Sequence, residues 1–422
     1  MELRVSDRSG AYSSEQFNLC HTQDILIRTL TGYATMNDEE VGFNPFIKLD
    51  DDGPHVAFRA ADGAEVKRFH LEDEPIAAPP YLVGPGTTCY PAKALDPGSR
   101  GCLVKFAWRE EERHVEREFL ELTKERGVWG VIELLSWQEL ESIDGLRQGL
   151  HFVRQYPLKP SDAKAGADFD DDGNTALIGS GEGHDQPFVN RTLSCVVTSP
   201  LGRPINDFGS IMEFIEACRD IGKALRSLYR DGNILHRDIA VKSLIVVPDG
   251  KEDARGVLID LDMALDLEKG PGRRGELIGS EGFMAIGILT GAQHTYRHDL
   301  ESLFYVFLWI VICNDHEHND AESLKHLPET TRLRGWCSSD FRSVARNKTE
   351  DMSPDGFLRI VNEFSEDSKH LKGLAQDLRD LLFPVRNGEL FTGTDTGCNA
   401  LYEGMILAFD RWLEGEKAHT GF

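Results

Sequence analysis

Three polar residues in a row, His236-Arg237-Asp238, lie between an apolar helical run and a short apolar strand, Leu244-Ile245-Val246-Val247. A second acidic strand end, Leu258-Ile259-Asp260-Leu261-Asp262, follows soon after. Two carboxylates at the ends of neighbouring strands suit phosphoryl transfer: one can orient a hydroxyl nucleophile, and the other can hold magnesium against phosphates. On this pattern Asp238 is expected to align the acceptor hydroxyl, and Asp260 to ligate the metal. Arg237 offers a planar fork for a phosphate or a carboxylate. Asp262 stands where a glycine would ease the turn and is expected to be structural, with a second metal ligand as the alternative.

Phosphoryl transfer also needs a cation on the phosphates. Lys105 sits in a strand-like run, Leu103-Val104-Lys105, and requires a carboxylate to hold it. Glu116 lies on the next helical stretch, with Phe119 and Leu120 on its anchoring side; Glu118 is the alternative partner. About twenty residues before Lys105 runs Gly84-Pro85-Gly86-Thr87-Thr88-Cys89, a loop whose Gly84 and Gly86 would let the backbone approach phosphates closely. A third glycine position holds Cys89, so the pattern is degenerate. Five residues after Asp238, where the template places a metal-binding Asn, stands Ser243. A hydroxyl can ligate magnesium, as the Ser/Thr of nucleotide-binding loops does, so Ser243 is the second expected metal ligand.

These residues need elements to present them. Between Gly42 and Lys105, short runs such as His55-Val56-Ala57-Phe58 alternate with Asp-Gly turns at Asp52-Gly53 and Asp62-Gly63, which predicts antiparallel hairpins. Further strands are expected at 101–106, 131–135, 150–153 and 192–198. Helices are expected at Ser14 to Thr31 and Glu110 to Arg126. Ser210 with Glu213 forms a capping-box pattern ahead of an apolar helical repeat. Leu300 to Cys313 is apolar nearly all round, which predicts a buried helix; Leu374 to Phe383 and Tyr402 to Leu413 follow. The expected organisation is an N-terminal extension (1–40), a β-rich lobe (41–198) with an acidic, glycine-rich surface insertion near 157–187, and an α-rich lobe (199–422).

Composition narrows the partners. The chain has 422 residues, 28% of them charged, and a net charge of -25. A polyanion repels phosphate backbones, so nucleic acid is not expected as a partner, whereas a basic peptide suits the field. The eight cysteines include no Cys-x-x-Cys pair, so neither a zinc site nor a redox motif is expected. The N-terminal stretch lacks the apolar segment of a signal peptide. The apolar run Leu303 to Cys313 is shorter than the ~20 residues of a membrane helix. A cytoplasmic or nuclear location without membrane association is therefore expected.

In order and spacing these pieces resemble the fungal-type protein kinase family, a divergent branch of the eukaryotic protein-kinase fold. The resemblance runs from about Leu30 to Leu413. It is carried by Val41-Gly42-Phe43-Asn44-Pro45, Leu103-Val104-Lys105, Leu201-Gly202-Arg203-Pro204-Ile205, Leu235-His236-Arg237-Asp238-Ile239, Leu258-Ile259-Asp260, Gly282-Phe283-Met284-Ala285-Ile286 and His298-Asp299-Leu300-Glu301-Ser302-Leu303-Phe304-Tyr305-Val306. It implies an α+β, bilobal protein-kinase-like fold, with ATP and Mg2+ at the site and a protein hydroxyl as acceptor. Asp262 to Leu289 then reads as an activation segment, with Arg237 suggesting control by a phosphate at Ser280. Gly287 stands where an anchoring Glu is expected. Asp299 is expected to brace the backbone around His236, to cap its helix, or both. Two other readings fit the same residues: a pseudokinase scaffold, motivated by Ser243 and the degenerate glycine loop, and a small-molecule phosphotransferase of related fold.

Overall fold

The computed structural model describes residues 4–13, 17–18, 20–37, 40, 42–59, 66–78, 83–94, 101–110, 116–147, 189–247, 254–313, 330–395 and 397–420. The described chain divides into two compact units, residues 4–117 with 133–147 and 189–201, and residues 118–132 with 202–420. The expected strand at 150–153, the insertion at 157–187 and the Asp62-Gly63 turn lie outside the described residues.

The first unit opens with a hairpin, β1 (Arg4–Asp7) and β2 (Gly10–Ser13), followed by helix α1 (Gln23–Thr35). The expected helix at Ser14 to Thr31 is corrected: it starts at Gln23. Asn18 takes the preceding turn instead, accepting the Cys20 N–H on its side chain and the Thr22 hydroxyl on its carbonyl, the local bonding by which Asn competes with helix. Then come β3 (Lys48–Asp50), β4 (Gly53–Arg59), β5 (Val66–Leu71), β6 (Thr88–Ala94), β7 (Gly101–Glu110), helix α2 (Glu116–Glu125), β8 (Glu133–Ser142), the short helix α3 (Ile143–Arg147) and β9 (Arg191–Ser199). Seven strands form one antiparallel sheet in the order β3-β4-β5-β6-β7-β9-β8. The strand period of two decides which face meets the core. Cys102, Val104 and Phe106 point into a cluster with Val56, Phe58, Phe69, Cys195 and Val197, so Lys105 projects from the opposite face.

The second unit is mainly helical. It contains β10 (Arg203–Pro204), helix α4 (Ile211–Arg230), β11 (Ile234–Leu235), β12 (Leu244–Val246), β13 (Gly256–Leu258) and β14 (Leu265–Asp266). Five helices follow: α5 (Ile286–Leu289), α6 (Tyr296–Cys313), α7 (Phe341–Asp351), α8 (Pro354–Val361) and α9 (Lys372–Leu382); α10 (Asn399–Thr420) comes last. Ser210 caps α4 through the Glu213 N–H at 3.1 Å, but Glu213 turns to the Gly209 N–H and Arg203, so only half of the capping box forms. Helix α6 is buried from Tyr296 to Val311, as its all-round apolar sequence requires. Among the described residues no helix is long and apolar enough to cross a membrane.

Candidate active site

In the first unit, Lys105 Nζ lies 3.0 Å from Glu116 Oε2. Register puts Cys89 opposite Lys105 across β6 and β7. Glu116 lies on α2. It is buried, while Glu118 faces solvent, so Glu116 and not Glu118 is the partner of Lys105. Phe119 and Leu120 are buried on the same helix. The Gly84–Gly86 loop precedes β6, three residues before the cross-strand neighbour of Lys105. Both glycines adopt positive φ, 112° and 51°, which a side chain would resist. Gly84 N–H donates to the Arg8 carbonyl, and the Trp108 N–H donates to the Pro85 carbonyl. The Arg8 guanidinium lies so close that a Cβ on Gly86 would fall 2.2 Å from it. The N-terminal hairpin therefore contacts this loop, a feature no sequence signal announced.

In the second unit, β12 and β13 pair antiparallel, Leu244 opposite Leu258. Asp238, before β12, and Asp260, after β13, consequently emerge at the same end of the pair. His236 ties the two stretches together. Its Nε2 bonds the Ile259 carbonyl at 3.0 Å, and its Nδ1 accepts the Asp238 N–H at 3.3 Å. Those two partners assign the ring proton to Nε2. Below them sits Asp299, which accepts the His236 N–H, the Arg237 N–H and His294 Nε2, each at 3.0 Å. Burial by itself raises the Asp299 carboxyl pKa, but His294 and the backbone N–H of His236 hold it below the usual carboxylate range.

Two non-glycine residues here adopt left-handed backbone, Arg237 at φ 69° and Asp260 at φ 66°. The positive φ expected to trouble Asp262 thus falls on Asp260, and Asp tolerates it better than most residues. Leu261 is fully buried and Asp262 is exposed.

Ser243 is fully buried. Its hydroxyl lies 2.9 Å from the Asp238 carbonyl and 3.0 Å from the Ala240 carbonyl, and it accepts the Ala240 N–H at 2.9 Å. Arg237 donates through Nε to the Met263 carbonyl at 2.7 Å and pairs with Glu276 at 3.2 Å. Burial lowers its pKa, and Glu276 and Asp299 oppose that. Ser280, expected as a phosphate carrier for Arg237, instead donates its hydroxyl to Asp238 Oδ1 at 2.7 Å. The carboxylate that meets Arg237 belongs to Glu276, which the sequence reading did not single out.

Gly287, the missing anchor, has a steric reason. A Cβ there would fall 2.4 Å from His298 Nε2. Anchoring passes to α6: Glu301 accepts the Ile286 N–H at 2.7 Å and the Tyr305 hydroxyl at 2.8 Å, and pairs with Arg297. Burial works against ionised Glu301, but Arg297 and its other partners lower its pKa. An Arg-x-x-x-Glu pair at the head of a helix that is apolar from Leu303 onward was the available signal.

Among the described residues no group of three or more His, Cys, Asp or Glu gathers for a metal. No curated protein matches the sequence. A solved structure of vaccinia related kinase 3 is similar at 12% identity with a TM-score of 0.47, covering 94% of this chain and 97% of that one. The model of the fungal protein kinase family matches residues 1–311. That span is well over half of the 422 residues, and the chain therefore belongs to the fungal protein kinase family.

Proposed function

We propose that the protein is an ATP-dependent protein kinase that transfers the γ-phosphoryl group to a protein hydroxyl. The observation that supports this most is the pair of carboxylates, Asp238 and Asp260, presented at one end of β12 and β13 and cross-tied by His236. In this reading Asp238 orients the acceptor hydroxyl and takes its proton, and Ser280 fixes the angle of its carboxylate. Lys105, held by Glu116, positions the phosphates, and Gly84 and Gly86 let the loop backbone approach them. Arg237 positions the segment that follows Asp260.

Asp260 is the residue to hold magnesium. One carboxylate is a sufficient protein donor because Mg2+ keeps waters and substrate phosphates as its other ligands. When bound, the ion would neutralise charge that develops on the transferring group. Ser243 we assign to bracing the catalytic loop, because its hydroxyl already serves three backbone groups. Rate in such a site comes mainly from positioning and fixed charge. The test is phosphotransfer from magnesium-ATP to a basic acceptor protein. Asp238→Asn should lower the rate by about 100-fold or more; equal rates would remove Asp238 from this role.

A non-catalytic nucleotide-binding scaffold is the second reading, favoured by Ser243, whose engaged hydroxyl leaves one metal ligand fewer. ATP with magnesium would then raise the melting temperature with no turnover.

A further inference from the structure

Lys348 lies on α7 and is fully buried. An ammonium in such a place is costly unless its donors are met. Its Nζ donates to the Gly282 carbonyl and to the Met284 carbonyl, each at 2.7 Å. It also lies 4.0 Å from the ring centre of Tyr305 and 5.3 Å from that of Trp336, faces that attract a cation. Burial pushes the amine down to about 7, opposed by the charge of Glu301. An apolar chain of similar length would fill the volume without the desolvation cost. What it would not do is grip two carbonyls two residues apart.

Those carbonyls belong to the stretch between Ser280 and α5. Ser280 touches Asp238, the Phe283 N–H donates to the Ser280 carbonyl, and Phe283 packs edge-on against Trp309 with centroids 5.2 Å apart. Ile286 N–H is held by Glu301. The stretch is therefore pinned at Ser280, at Gly282 and Met284, and at Ile286. Lys348 supplies the middle pin, and it does so in a chain whose Gly287 cannot carry an anchoring side chain.

We propose that Lys348 is a positioning residue for the acceptor side of the site: it fixes Gly282–Met284 so that Ser280 stays on Asp238 and the acceptor chain meets a rigid backbone. The inference rests on the kinase reading above for its catalytic consequence, and on geometry alone for the latch.

The test uses the full chain, magnesium-ATP and a lysine-rich peptide carrying one serine. Lys348→Met should raise the KM for the peptide by about tenfold, the scale of losing charge-assisted hydrogen bonds, with the KM for ATP unchanged. In the same variant the Phe283 and Ile286 amides should exchange with solvent at least about tenfold faster, while amides of α6 keep their protection. An unchanged peptide KM with unchanged exchange overturns the proposal. So does a uniform rise in exchange with the peptide KM unchanged, since that is general destabilisation. If the wild type transfers no phosphate, the kinase reading fails while the exchange result still decides the latch. If Lys348→Met does not fold, exchange in the wild type decides: Phe283 must be as protected as α6, and rapid exchange there sinks the idea.

Discussion

Replacing Asp299 by Asn tests the support under the catalytic loop. The carboxylate is 3% exposed and accepts three N–H groups. Its Oδ1 serves Arg237 N and His294 Nε2, and its Oδ2 serves His236 N. An amide can reproduce only one of these oxygens. The lower-energy flip keeps oxygen on the side of the two donors and turns the NH2 toward His236 N–H. One bond is lost and two donors face each other, which costs about 1–3 kcal/mol. The two surviving bonds change from charged to neutral acceptors, at roughly 1 kcal/mol each. The sum, about 3–5 kcal/mol, is a large share of the ~5–15 kcal/mol that stabilises a domain.

The same bonds hold Arg237 at φ 69°, a conformation that costs a non-glycine residue on the order of 1–3 kcal/mol. With the His236 bond gone and the Arg237 bond weakened, the hold on this conformation loosens and Asp238 shifts with it, so activity should fall further than stability. Thermal unfolding should show Asp299→Asn melting on the order of 10 °C below the wild type, with phosphotransfer nearly abolished at temperatures where the variant is folded. A melting point within about two degrees of the wild type, with rates intact, would refute the reasoning, because no geometry consistent with three accepted bonds survives that result.

Other expectations follow from the same packing. Gly287→Ala places a methyl 2.4 Å from His298 Nε2, and denaturant titration should show a loss of about 1–3 kcal/mol, the usual cost of overpacking. Burial pushes His298 down to about 4 from an ordinary 6.5. Between those values the unfolded chain takes up the proton first, so stability is full above pH 6.5 and falls toward pH 4 by about 3 kcal/mol. His298→Asn, which can keep an acceptor for the Thr295 N–H, should flatten that slope; an equal slope in both proteins would assign it elsewhere. Ser280 donates its hydroxyl to Asp238, so mass spectrometry of active protein should find it unphosphorylated, and stoichiometric phosphate at Ser280 would contradict that arrangement.

How far the sequence spoke depended on whether a contact was local or distant. The strand that carries Lys105 was visible because a short apolar run needs only neighbours to be read. Burial of α6 was equally visible, since eleven apolar residues in a row from Leu303 to Cys313 leave no face for water. The choice of Glu116 over Glu118 followed from helical spacing to Phe119 and Leu120. By contrast, the N-terminal hairpin was missed because β1 and β2 are four residues each, too short for a periodic pattern. The start of α1 was misplaced because one Asn side chain diverts the backbone, and that diversion outweighs propensity. Glu276 and Lys348 were invisible in principle: each matters through a partner far along the chain, Arg237 thirty-nine residues away and Gly282 sixty-six residues away.

The departures from the family pattern gain meaning from what surrounds them. Read singly, Gly287 and Ser243 each suggest a lost function. In three dimensions Gly287 is required by His298, and the anchoring it lacks is supplied from α6 by Glu301 with Arg297 and from α7 by Lys348. Ser243 lies too deep to face solvent and holds the loop that carries Asp238. A motif position therefore constrains chemistry only where its side chain meets a reacting atom. Where it meets backbone, any group that satisfies the same donors serves, and the sequence is free to move that group to another helix. The two kinds of departure separate experimentally. Restoring Asn at Ser243 puts a larger amide where one hydroxyl satisfies three backbone groups, so it should destabilise the fold by about 1–3 kcal/mol without raising phosphotransfer. A gain in rate with stability intact would show that position 243 still faces the metal.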